Sequence, residues 1–383
     1  MLLKKLLKSN LVMEHPIRIL QLFTILNRGG AETNVMNYYR KLDRTKFQFD
    51  FIVHREEKGA YEDEIISLGG KIYRLPPFNP LKIKHYKKQI ALFFDQHSYL
   101  IIHGNCSELG IYIYQEAQKR GTPVIIAHGH NATDGWNLKS PFRYYYKKSM
   151  MPFVNTYFTC GYEAAVWLFG KKNANKAFTM TNAIDSSLFA YSEDKGVQVR
   201  TQLQATTTQN FIHVGRFNVQ KNHDFLISIF YELVKLDANR KLFLVGIGDL
   251  MESIQKKVAK LELQNNVVFL GSRNDVNDLL QGMDAFLFPS LFEGLPVSLV
   301  EAQASGVKCY ISDGVPKESI IVHDNVKVIS LKTAAAVWAQ TIHSQNGFIK
   351  QDVSQIIIDK GYDINKNVIL LQEKYLELLQ QHS

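Results

Sequence analysis

"FIHVGRFNVQKNHDFLISIFYELVKLDANRKLFLVGIGD", residues 211–249, decides the fold. It holds a short strand that is almost wholly apolar and stops at a glycine, "FIHVG", a helix over 223–236, and a second apolar strand, "RKLFLVG", that again stops at a glycine. A strand without polar alternation is covered on both faces, and a helix of that length between two such strands is a crossover. The unit therefore predicts a parallel sheet sandwiched by helices.

The same rhythm continues downstream with a helix over 250–262, strand "NVVFLG", helix 275–282, strand "DAFLFP", helix 297–304 and strand "VKCYIS". Upstream it starts at Ile17 with "IRILQLFT", the glycine turn "NRGGAE" and a helix over 31–42. Then come "FQFDFIVH", helix 60–68, "KIYRL", helix 81–96, "YLIIHG", helix 107–120, "PVIIAH" and "TYFTCG". Between the two series, "DSSLFAYSEDKGVQVRTQLQATTTQN", 185–210, is polar and threonine-rich and reads as a domain boundary. The fold class expected is α/β, with two Rossmann-like doubly wound domains, 14–187 and 188–363, facing a central cleft. A basic amphipathic extension, 1–13, precedes them. An amphipathic helix over 364–383, with Val368, Leu371, Tyr375, Leu378 and Leu379 on one face, closes the chain. Ligands of such folds sit at the carboxyl ends of the strands.

The 383 residues, 46% apolar and 21% charged, suffice for two cores. No apolar run approaches the roughly 18 residues that span a bilayer, and no cleavage site follows an apolar core at the N-terminus, so a cytoplasmic chain is expected. Cys106, Cys160 and Cys309 are far apart, which predicts reduced thiols rather than disulfides or a zinc site. The net charge of +9 is uneven: residues 1–190 carry 26 Lys and Arg against 15 Asp and Glu, whereas 191–383 carry 19 against 21. A basic N-terminal half points to an anionic surface. In "MLLKKLLKSNLVM" the leucines recur at helical spacing opposite Lys4, Lys5 and Lys8, the pattern of a short interfacial helix; a frayed tail is the alternative. The basic residues are scattered and lack interleaved aromatic platforms, which argues against nucleic acid as a partner.

The chemistry is expected in the loops. In "FPSLFEGLPVSLVEAQASG", 288–306, Pro296 marks a helix start, leaving Glu293 in the preceding turn and the amides of Gly294, Leu295, Pro296 (which has none to offer), Val297 and Ser298 around its positive end. That end can take an anion. Glu301, inside the helix, can accept a pair of ribose hydroxyls, and Glu293 a hydroxyl on the other side of the anion. Two acids flanking a phosphate site describe a nucleotide sugar, although a dipole-paired acid and a solvated Glu would have the same spacing. In "HVGRFNVQKNH", Gly215 ends a strand, Arg216 follows at once and Lys221 stands at the start of the next helix, a pair of cations suited to a diphosphate. Gly246, in "LVGIGD", makes another turn after a strand, and Arg273 follows the next strand, where its backbone can meet a base edge.

These stretches resemble a known family. "GRF…QKN", "VGIGD", "FEGLP" and the Glu-x7-Glu pair look like the retaining glycosyltransferases of family 4, with the two-domain GT-B fold. "FTILNRGGAETNVMNYYRKLDR", "IAHGHN", "TNAID" and the two loops above are similar to its bacterial exopolysaccharide and capsule branch, over residues 14–345. The resemblance implies that Arg216 and Lys221 hold the donor diphosphate, Glu301 the ribose, Glu293 a hydroxyl of the transferred sugar, and the 294–298 amides the phosphate or sugar. It further implies that Gly29 and Gly30 let the N-domain loop approach donor and acceptor, and that His128 is the active-site histidine. His130 lies two residues on, and either could face the sugar. "TNAID" has Ala183 where Asn-Gly is usual, which leaves open a role for Asn182.

Cleaving an anomeric carbon–phosphate bond puts negative charge on the leaving diphosphate, which Arg, Lys and helix amides can offset. With no Asp-x-Asp in a metal loop, no metal and no other cofactor is expected. The expected function is transfer of a sugar from a nucleotide sugar, by family habit a UDP-sugar, to a polyprenyl-diphosphate-linked saccharide at the inner face of the cell membrane. Two rivals share the features. A nucleotide-sugar 2-epimerase would release an epimerised sugar and need no basic half, and a non-catalytic sensor could dispense with His128 or Glu293.

Overall fold

The computed structural model describes residues 15–106, 110–130, 140–345 and 347–382; the expected amphipathic extension, 1–13, lies outside them. The chain forms two compact units, one of residues 1–183 with 364–383, the other of 184–363.

The first unit is built on a parallel sheet ordered β3-β2-β1-β4-β5-β6-β7. Its strands are β1 (Ile17–Leu22), β2 (Phe47–Val53), β3 (Ile72–Arg74), β4 (Ile101–Gly104), β5 (Val124–Gly129), β6 (Thr156–Thr159) and β7 (Phe178–Thr179). Every residue of β2 is buried, as a strand covered on both faces requires. Its one charge, Asp50, is matched: Arg18 Nε donates to it at 2.7 Å, and the Tyr99 hydroxyl at 3.0 Å. A core lies on each face, one around Phe47, Phe49, Phe51 and Tyr39, the other around Tyr86, Phe93, Ile102 and Tyr114.

The second unit repeats the plan with the order β10-β9-β8-β11-β12-β13. Its strands are β8 (Gln209–Val214), β9 (Arg240–Val245), β10 (Val267–Gly271), β11 (Ala285–Phe288), β12 (Lys308–Ser312) and β13 (Val326–Ile329). In each sheet the chain runs outward through three strands and then returns to the other side of the first. The resulting switch points fall between β1 and β4 and between β8 and β11, where such folds bind ligands.

The sequence reading did not include β7, β13 or the helices Ser140–Met150, Tyr162–Phe169 and Ala335–His343, and three further features depart from its expectation. The units divide at 183/184 rather than 187/188, because Asn37 Nδ2 and the Tyr38 hydroxyl donate to the carbonyls of Ala183 and Thr181 and tie that strip to the first unit. The closing helix, Ile364–Gln381, is not a separate element: it returns to the first unit, burying Val368, Leu371, Tyr375, Leu378 and Leu379 over Phe47 and Phe49. The polar stretch 185–210 holds two helices, Ser186–Phe189 and Glu193–Gln202, the second capped by the Ser192 side chain, which accepts from the Lys195 amide. That helix buries only Gly196 and Val199, so it leaves almost no apolar periodicity to read. No disulfide joins the three cysteines, two of which are buried, and burial pushes the Cys309 thiol up.

Candidate functional site

In the second unit, the loop after β8 and the loop after β11 converge. Glu293 is only 6% exposed, and its two oxygens are separately held: Lys221 Nζ donates to Oε1 at 2.7 Å and Gln220 Nε2 to Oε2 at 3.2 Å. Lys221 Nζ also stands 4.6 Å from the Phe288 ring centroid, and its backbone amide donates to Asn218 Oδ1. The loop carrying Glu293 is stapled from both flanks. Its Leu291 amide donates to the Gln220 carbonyl, its Glu293 amide to the Gly314 carbonyl, and the Ser312 hydroxyl to the Ser290 carbonyl. A carboxylate offers about four acceptor positions, so Glu293 keeps capacity for a hydroxyl after Lys221 and Gln220 have taken theirs.

The helix Val297–Ala304 follows, with Pro296 at the N-cap position in extended conformation. It thus spans 297–304 as the sequence predicts, with the proline just ahead of it, and the amides of its first turn, Val297 and Ser298 among them, lack intrahelical acceptors. Leu295 and Val297 are buried, which fixes the strip from Glu293 to the helix. Glu301 lies in the middle of this helix, half-buried.

Gly215 sits where a Cβ would press on His213 Nε2 at 2.9 Å and on Lys221 Cγ and Cδ at 3.1 Å. Gly246 has φ +138°, and a Cβ there would stand 2.1 Å from the Gly215 carbonyl oxygen. The two glycine loops thus run in backbone contact, a structural reason for Gly246 that needs no ligand. Arg216 is exposed. Arg273 is also exposed and makes a bidentate pair with Asp275. A concavity of about 480 Å³ does exist elsewhere in this unit, lined by Thr207, Gln209, Asn239 and Lys308 near the amino ends of the strands. It is the wrong end of a doubly wound sheet for a nucleotide.

In the first unit, Gly29 caps the helix Gly30–Lys41 and Gly30 opens it. A Cβ on Gly30 would meet nothing within 4 Å, so the protein's own packing does not demand a glycine there. His128, on β5, is fully buried, and His130, just beyond it, is half-buried; their rings stack with centroids 3.9 Å apart. Burial pushes His130 down to about 3 and His128 well below the usual histidine range, so both are neutral. Asn182 is 4% exposed in the strip docked on the helix Gly30–Lys41.

The sequence reading missed His103, Asn105 and Tyr375 as polar partners of the two histidines, and Gln220 as the second holder of Glu293. "IIHG" and "YLELL" do carry a polar group inside an apolar run, the one signal that could have marked them. Among the described residues, no three or more His, Cys, Asp and Glu side chains come together as a metal site would require, and no helix is long and apolar enough to cross a membrane.

Residues 197–344 match the family described as Glycosyl transferases group 1. The EpsF glycosyltransferase of Bacillus subtilis (strain 168) is 33% identical over 375 residues, covering 94% of this chain and 96% of its own. The chain belongs to the group 1 glycosyltransferases. This glycosyltransferase is also 26% identical to the capsular polysaccharide biosynthesis glycosyltransferase CapH of Staphylococcus aureus, over 94% of its length and 99% of CapH. Among solved structures, Anabaena Alr3699/HepE in complex with UDP and glucose superposes with a TM-score of 0.76 at 17% identity, over 94% of this chain and 99% of that one. The GT-B expectation and the bacterial polysaccharide branch of the family are thereby met, and the protein is an enzyme.

Proposed function

We propose that this glycosyltransferase of polysaccharide biosynthesis is metal-independent and retaining, and that it moves a sugar from a UDP-sugar to a polyprenyl-diphosphate-linked saccharide at the inner face of the cell membrane. The observation that carries this reading is the buried pairing of Lys221 with Glu293 beside the open end of the helix Val297–Ala304. Glu293 aims Lys221, and Arg216 and the free amides of the helix lie in the adjoining loops, so that two cations and a helix dipole serve the leaving diphosphate. Glu301 takes the ribose and Glu293 a hydroxyl of the transferred sugar. The acceptor attacks from the face the phosphate leaves, and the departing phosphate oxygen takes its proton. The likeness to a UDP-bound structure supports uridine as the base.

The membrane part rests on the basic first half and on the helix Ser140–Met150. There Phe142, Tyr144 and Tyr145 are 68%, 56% and 65% exposed, next to Lys147 and Lys148. Exposed aromatics among lysines suit an anionic lipid–water interface.

The test is transfer to a lipid-linked acceptor in EDTA, with the anomeric configuration of the product read by NMR. Undiminished rate and retained configuration are expected. Loss of transfer that Mg²⁺ or Mn²⁺ restores would remove metal independence, an inverted product would remove retention, and release of a free epimerised sugar would favour an epimerase.

A further inference from the structure

The paired histidines His128 and His130 belong to a buried polar chain whose proton positions can be assigned. Asn105 Nδ2 is 3.3 Å from the His103 carbonyl, a group that only accepts, and donates to Gln21 Oε1 at 2.8 Å. The oxygen of Asn105 therefore faces His130 Nε2, at 2.9 Å, and that nitrogen must carry the proton. His130 Nδ1 is then a bare lone pair, buried and without a hydrogen-bond partner among the described residues.

The same logic runs through the other ring. A buried phenol proton needs an acceptor, and the Tyr375 hydroxyl finds one in His103 Nδ1, 2.8 Å away. His103, kept neutral by burial, must then carry its proton on Nε2 and donate to His128 Nδ1 at 3.0 Å. What remains is His128 Nε2–H, a buried donor without a partner among the described residues.

We propose that Tyr375, reaching in from the C-terminal helix, and His103 are positioning residues that fix His128 as the Nε2–H tautomer. The stacked pair then offers one donor, His128 Nε2–H, and one acceptor, His130 Nδ1, to a hydroxyl of the sugar substrate. A hydroxyl is the group that donates and accepts at once, and it completes both valences left open by the chain. The sugar part rests on the transferase reading above; the tautomer does not.

The test is two-bond ¹H–¹⁵N correlation of the histidine side chains in the full-length protein, with His128→Gln and His103→Gln used only to assign signals. Nε2–H signals for His103, His128 and His130 in the wild type support the assignment. Tyr375→Phe should turn His103 and His128 into tautomer mixtures and lower kcat about 10- to 100-fold, the range for removing a group that orients a functional histidine, with a smaller change in the donor KM. An Nδ1–H His128 in the wild type overturns the proposal and needs no variant to be seen. So does a Tyr375→Phe protein with unchanged spectrum or unchanged kcat. A wild-type protein that shows the stated tautomers but binds no nucleotide sugar, by thermal shift, would sink the transferase reading while leaving the proton assignment standing.

Discussion

Lys221 and Glu293 are the residues whose energetics can be stated most sharply. The pair is buried, so removing one partner strands a charge in a poorly solvated place, which costs about 3 to 5 kcal/mol, whereas removing both together costs less. Lys221→Met should therefore lower the unfolding midpoint markedly, and Lys221→Met with Glu293→Gln should recover part of the loss. Denaturant unfolding of the two single variants and the double variant checks this; strict additivity would contradict the pairing. Both residues could be marked in the sequence as charged groups flanking a helix start, but their contact could not. It joins positions 72 apart, and only the parallel order that puts β8 beside β11 brings them together. The His128–His130 pair was visible for its spacing, yet the buried chain behind it draws on Gln21, Asn105 and Tyr375, which share no sequence pattern with it.

At the level of the element, the C-terminal helix shows where reading stops. Its apolar stripe predicted which residues are buried, because a 3.6-residue period registers burial whatever the partner. The partner itself was beyond reach. One face of the first sheet, around Phe47 and Phe49, needs cover, and a helix more than 300 residues downstream supplies it, as periodicity cannot foretell. Leu371 is fully buried in that contact. Leu371→Ala should destabilise the first unit by about 2 to 5 kcal/mol, measured by denaturant unfolding. A loss under about 0.5 kcal/mol, the scale of surface substitutions, would contradict the docking. The short helix Glu193–Gln202 is the converse case: a capped helix with almost no buried face stayed invisible inside a polar stretch.

Across the whole molecule, the buried histidines set an acid limit. Burial lowers His103 to about 3 and His223 to about 4, from an ordinary 6.5. Between those values and 6.5 the unfolded chain binds more protons than the folded one. Stability therefore falls as pH drops from about 6.5 towards about 4, by about 1.4 kcal/mol per pH unit for each of the two. Unfolding free energies at pH 7.5 and 5.0 test this, and equal values would mean that these rings are not held neutral. The doubly wound plan of both units was legible because their strands are apolar throughout and end at glycines. The domain boundary was displaced by four residues because hydrogen bonds to Thr181 and Ala183, not composition, decide which unit that strip joins.

The central claim is that the second unit holds a nucleotide-sugar diphosphate at Arg216, Lys221 and the helix Val297–Ala304. It is tested most directly by the melting temperature of the protein with a panel of UDP- and GDP-sugars in EDTA, recorded together with released nucleotide. Saturation 100-fold above Kd stabilises the fold by about 2.7 kcal/mol, so one UDP-sugar should raise the midpoint by several degrees and slowly yield UDP. Arg216→Ala and Glu301→Ala should abolish that shift. If no nucleotide sugar moves the midpoint, the donor site assigned to these residues is wrong.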